Sequence, residues 1–178
     1  FLLACVIQAG AGAQATAPLK IDHITFPAKI DGATYTLEAT VYRPDDGKAH
    51  PLIVMNHGRD GKYPPVNEHE SMGYGELNGA FAGRGYVSMM LVRRGYGNSQ
   101  GPDAELKATA VASGLEAAKD IRAAVDYMRE QSYVLRDKVA IAGHSQGGWA
   151  AIASASVEME GVVGAVNLCG GTNYAAMG

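Results

Sequence analysis

Two hydrophobic rhythms divide the chain. In the segment "LKIDHITFPAKIDGATYTLEATVYRP", Tyr35, Leu37, Ala39 and Val41 alternate with Thr36, Glu38 and Thr40. A period of two marks a half-buried strand. The segment therefore predicts two antiparallel strands joined at Asp31-Gly32, with Pro44-Asp45-Asp46-Gly47 closing the loop that follows. Further on the rhythm changes to short, unbroken apolar runs: "PLIVMNHG", "GYVSMMLVRRG", "KVAIAG" and "VVGAVNLCGG". Such runs suit parallel strands buried on both faces. A long helical stretch separates the second from the third. Ser113-Gly114-Leu115-Glu116 has the form of a capping box, and Leu115, Ala118, Ile121, Val125 and Met128 share one helical face. Strands alternating with helices predict an α/β fold. Its sheet is mostly parallel, with helices on both faces and an antiparallel hairpin at the N-terminal side.

Composition narrows the class. The 178 residues are 47% hydrophobic and 19% charged, with a net charge of −3. That is enough for one packed core and leaves no basic field for a nucleic acid. Glycine is abundant, at 23 residues, but follows no fixed period, which excludes collagen-like and solenoid repeats. No linker or second domain interrupts the stretch from Lys20 onward.

The opening "FLLACVIQAGAGAQATAP" differs from the rest. The apolar run Phe1 to Ile7 followed by Ala13-Gln14-Ala15 reads as a signal-peptide remnant over residues 1–15, which places the domain at 16–178. The run is too short to span a membrane. Export to a periplasm or the medium is the expected localisation. A rival reading takes Leu2-Leu3-Ala4-Cys5 as a lipoprotein box, with Cys5 as the anchor. Gly10 to Ala15 also spell G-x-G-x-x-A, but Pro18 and an alternating segment follow where a dinucleotide site needs a helix. No cofactor is expected. Cys5 and Cys169 are the only cysteines, so there is no disulfide framework, and Cys169 reads as a small buried hydrophobe. No histidine or cysteine spacing suggests a metal site.

The chemistry concentrates in "KVAIAGHSQGGWAAIASAS", where an apolar run meets a helical one at Gly143-His144-Ser145-Gln146-Gly147. G-x-S-x-G at a strand-to-helix junction is a nucleophile elbow. Ser145 is the candidate nucleophile, and Gly143 and Gly147 leave room for the neighbouring strand and helix. The N–H of Gln146, at a helix N-terminus, is placed to hold an oxyanion. A second donor is expected from "NHGRDG", where Gly58 turns the chain and Arg59 supplies its N–H. His57 is read as orienting that loop rather than as the base. His144 is expected to point away into a polar contact, His69 to lie on a lid-like loop, His23 within a strand and His50 in a loop.

"MNHGRDG", "RGYVSMMLVRRGYGNSQG" and "GHSQGG" together resemble the dienelactone hydrolase-like branch of the α/β-hydrolase superfamily. They are similar also to the catalytic domains of prolyl oligopeptidase-type serine peptidases. The resemblance runs over residues 35–178 and includes an R-G-x-G-x-S-like loop in "RRGYGNSQG". It implies an α/β-hydrolase fold and acyl transfer through Ser145. Dienelactone hydrolases proper use cysteine, so a serine favours ester or peptide hydrolysis over the lactone reaction. In this fold the triad runs serine, then acid, then histidine. No histidine follows Ser145, and Glu158 and Glu160 lie where a helix ends before the next strand. The expectation is a chain truncated after about the sixth strand. The triad acid and histidine would then lie beyond residue 178, and the fragment alone would be inactive. The parent is read as an exported serine hydrolase of carboxylic esters that takes a small-molecule substrate. Two alternatives stay open. One is a peptidase of prolyl oligopeptidase type, for which an added domain would be expected, and none is read before residue 35 in this stretch. The other is a non-catalytic binding protein on the same fold.

Overall fold

A computed structural model describes residues 18–59, 74–105 and 109–171. The signal-like segment with Cys5, the G-x-G-x-x-A stretch and His69 lie outside these residues. Strands β1 (Leu19–Ile30) and β2 (Ala33–Pro44) form the antiparallel hairpin, turning through Asp31 and Gly32 at φ 50° and 81°. Positive φ at both central positions is what a tight hairpin turn requires, and Asp-Gly supplies it. The remaining elements are β3 (His50–Asn56), α1 (Gly75–Ala82), β4 (Val87–Val92), α2 (Ala110–Arg129), β5 (Val134–His144), α3 (Gln146–Ala155) and β6 (Val162–Leu168). The strands make one sheet in the order β1-β2-β4-β3-β5-β6. Pairing is antiparallel for β1·β2 and β2·β4 and parallel across β4, β3, β5 and β6.

Strand parity builds the layers. Leu52 and Val54 of β3 and Met89 and Leu91 of β4 point into the main core, which also holds Phe26, Leu37 and Ile141. Ile121, Val125 and Met128 of α2 and Ala150 and Ala151 of α3 cover that face. The intervening residues Ile53, Met55 and Met90 face the other way, into a smaller cluster with Tyr74 at the start of α1. Helices thus lie on both faces, as the alternating pattern predicts. The four parallel strands all end at one edge of the sheet, which is where open α/β sheets bind ligands.

Some expectations are corrected. Helix α2 begins a turn before the capping box: Thr109 is its N-cap and accepts from the N–H of Ala112 at 3.1 Å. Ser113 is buried inside the helix, where its hydroxyl donates to the Glu105 carbonyl at 2.7 Å. Leu115 is 40% exposed because the buried stripe runs through Gly114, Ala117, Ala118 and Ile121 instead. Gly114 and Ala153 bring α2 and α3 close together, and a Cβ on Gly114 would lie 2.8 Å from that of Ala153. Strand β6 reads as doubly buried in sequence, yet Val163 is 73% exposed and Val166 49%. It is the outermost strand, and nothing among the described residues covers its outer side. Cys169, just past its end, is exposed rather than buried. His50 opens β3 rather than sitting in a loop, with its ring between Asp46 and the Gly85 carbonyl. Among the described residues no helix is long and apolar enough to cross a membrane.

Candidate active site

Ser145 sits between the last residue of β5 and the first of α3, at φ 53° and ψ −122°. A non-glycine residue in this region costs about 1–3 kcal/mol and persists only where its surroundings enforce it. The surroundings here are backbone. A Cβ on Gly143 would lie 2.1 Å from the Gly147 carbonyl oxygen. One on Gly147 would lie 2.3 Å from the carbonyl oxygen of Asn56 and 2.4 Å from that of His57. Two further bonds fix the elbow: the Ser145 N–H donates to Leu168 at 2.9 Å, and its carbonyl accepts from Trp149 at 3.2 Å. Gln146 follows as the first residue of α3, so its N–H is one of the unpaired donors at a helix start.

The chain after β3 passes directly over this elbow. A Cβ on Gly58 would meet the Ser145 Cβ at 3.2 Å and the His144 ring at 3.4 Å. Ser145, Gly58, Gly143 and Gly147 are therefore brought together, and Arg59 is the next residue along the loop. His57 is fully buried and its ring is committed. Nδ1 donates to the Gly58 carbonyl at 2.8 Å, and Nε2 accepts from the Arg93 N–H at 3.3 Å. With both nitrogens engaged, His57 holds the loop. His144 contacts the Tyr74 hydroxyl at 3.0 Å, and His23 contacts Thr40 within the hairpin.

Beneath the loop lies a charged layer that the sequence alone does not announce. Arg93 Nη2 donates to the His57 carbonyl at 2.8 Å, while its Nε donates to Glu105 at 2.8 Å. Tyr96 donates to the other Glu105 oxygen at 2.6 Å and stacks edge-on against His57. Burial, reinforced by the Glu105 carboxylate, pushes the Tyr96 phenol far above its ordinary range. It is held neutral as a donor. Arg59 lies 3.4 Å from Asp103 and 3.8 Å from Glu105. The adjacent Arg94 turns the opposite way, to Asp120 at 2.6 Å and Glu116 at 3.0 Å on α2. "RRGYGNSQG" thus ties the loop after β3 to the core with one arginine and the covering helix with the next. The doubled arginine was a visible signal. Its partners Glu105 and Asp120, twelve and twenty-six residues away, could not be assigned from spacing.

Sheet order, elbow and helix placement define an α/β hydrolase. The sequence pattern of the X-Pro dipeptidyl-peptidase family, S15, matches residues 31–177. The chain belongs to that family. No curated protein matches it. Among solved structures, it is similar to a hyperthermophilic esterase from the archaeon Pyrobaculum calidifontis, at 26% identity and a TM-score of 0.58 over 86% of this chain and 46% of that one. It is also similar to a variant of the rice cell wall degrading esterase of Xanthomonas oryzae, at 20% identity and a TM-score of 0.60 over 88% and 44%. A third similarity is to an α/β hydrolase from a Penicillium species, at 19% identity and 0.59 over 83% and 44%. The chain spans less than half the length of each of these proteins.

Proposed function

We propose that the chain carries the nucleophile and oxyanion hole of a serine hydrolase that cleaves carboxylic esters through an acyl-enzyme on Ser145. The observation behind this reading is the strained Ser145 backbone with Gly58 packed against its Cβ. An attacked carbonyl oxygen would become negative between the N–H groups of Gln146 and Arg59, next to the positive end of α3. In this reading His57 is not the base, since its ring is committed to its own loop.

Family membership favours a second reading, release of X-Pro dipeptides. That reaction calls for a carboxylate without a cation of its own, to hold the substrate's terminal ammonium. Among the described residues, the carboxylates packed against the loop, Asp103 and Glu105, are matched by Arg59 and Arg93, so neither serves as that anchor. The test is turnover of p-nitrophenyl acetate against an X-Pro p-nitroanilide by the intact protein and its Ser145→Ala variant. Ester turnover that vanishes in the variant, with little nitroanilide release, is expected. Preference for the nitroanilide would establish the peptidase.

A further inference from the structure

Tyr74 stands at the start of α1, its ring packed among Ile53, Met55, Met90 and Ala142. Phenylalanine would fill that space equally well, so the packing gives no reason for a hydroxyl. The hydroxyl has two partners, and each belongs to a different half of the candidate site. The Gly58 N–H donates to it at 3.1 Å, and the Nδ1 of His144 lies 3.0 Å away. A phenol donates one proton and accepts through its lone pairs. Tyr74 therefore accepts from Gly58 and shares a second hydrogen bond with the Nδ1 of His144.

The other end of the residue is anchored too. Asn78 donates from Nδ2 to the Tyr74 carbonyl at 2.6 Å, and the Ser88 hydroxyl donates to the Asn78 side-chain oxygen at 2.5 Å. Asn78 and Ser88 are both fully buried. Hydrogen bonds from the central strand β4 through Asn78 thus hold the Tyr74 backbone, while those at its hydroxyl divide between the loop after β3 and the residue before Ser145. Buried networks with every member satisfied hold their geometry firmly.

We propose that Tyr74 is a positioning residue whose hydroxyl sets the spacing between the Gly58–Arg59 loop and the nucleophile elbow. It engages the Gly58 N–H, so that the Arg59 N–H is the one presented to a reacting oxygen. Tyr74 acts through Gly58 and His144 and touches no substrate. The proposal rests on the reading of Ser145 as nucleophile. A change in spacing matters most when charge builds on the oxygen, so it should act on turnover more than on ground-state binding.

The test is Tyr74→Phe in the intact protein, with p-nitrophenyl acetate as substrate. The expected result is a fall of about tenfold in kcat with KM changed by less than about twofold. Faster hydrogen exchange at the Gly58 amide and altered nitrogen resonances of the His144 ring should accompany it. His144→Phe cuts the same bridge from its other side and should give the same kcat loss, which keeps the test decisive if Tyr74→Phe folds poorly. Wild-type kcat in either folded variant, while Ser145→Ala is inactive, would overturn the bridge alone. So would a kcat loss with the Gly58 and His144 signals unmoved. If the unaltered protein shows no Ser145-dependent turnover, the nucleophile reading falls and the bridge falls with it.

Discussion

Ser145 holds its left-handed backbone because three neighbours have no side chain in the way. At Gly147 a methyl group would press on two carbonyl oxygens of the β3 end, and backbone of a central strand cannot move aside cheaply. Gly147→Ala should therefore cost about 3 kcal/mol. Gly164, in β6, has open space around it and an ordinary φ, so Gly164→Ala should stay within about 0.5 kcal/mol of the parent. Denaturant titration of the two variants checks this, and equal losses would show that close packing does not shape the elbow. Both elbow glycines were legible in the sequence, because a motif at a strand-to-helix junction fixes their surroundings locally. Tyr74 was not. Its partners Gly58 and His144 are 16 and 70 residues away, and only the folded sheet brings them together.

Helix α2 shows how an element is docked by charge as well as by apolar contact. Asp120 is buried on its core-facing side and receives both the N–H of Arg94, at 2.8 Å, and its Nε, at 2.6 Å. Burial pushes its carboxyl upward, and the Arg94 charge opposes that. Removing Asp120 takes away the closest partner of the buried Arg94 and leaves it only Glu116, at 3.0 Å. Asp120→Ala should thus destabilise the protein by about 2–4 kcal/mol, measurable as a lowered denaturation midpoint. A change below about 1 kcal/mol would mean that water reaches Arg94 and that the pair does not hold the helix. The apolar periodicity of α2 was readable as far as Ala118, Ile121, Val125 and Met128. Its start lies earlier than the sequence suggests, because Ser113 and Glu116 imitate a cap while serving tertiary partners, the Glu105 carbonyl and Arg94. Helix α1 gave no clear periodicity, since Gly75, Asn78 and Gly79 interrupt its short apolar set.

For the molecule as a whole, unbroken apolar runs identified the parallel strands, and one period-two segment identified the hairpin. What they could not convey is which strand ends up outermost. "VVGAVNLCGG" looks like its buried counterparts, yet β6 lies at the sheet edge with Val163, Val166 and Leu168 exposed. The Ser145 loop, the loop after β3 and the arginine loop after β4 meet at one edge because three parallel strands deliver them there. That convergence makes Ser145 chemically special only if its hydroxyl attacks an electrophile. The direct measurement is reaction of the intact protein with a fluorophosphonate, followed by peptide mass spectrometry. One adduct per chain on Ser145, absent from Ser145→Ala, is the expected result. No adduct, or labelling at another residue that persists in Ser145→Ala, would contradict it.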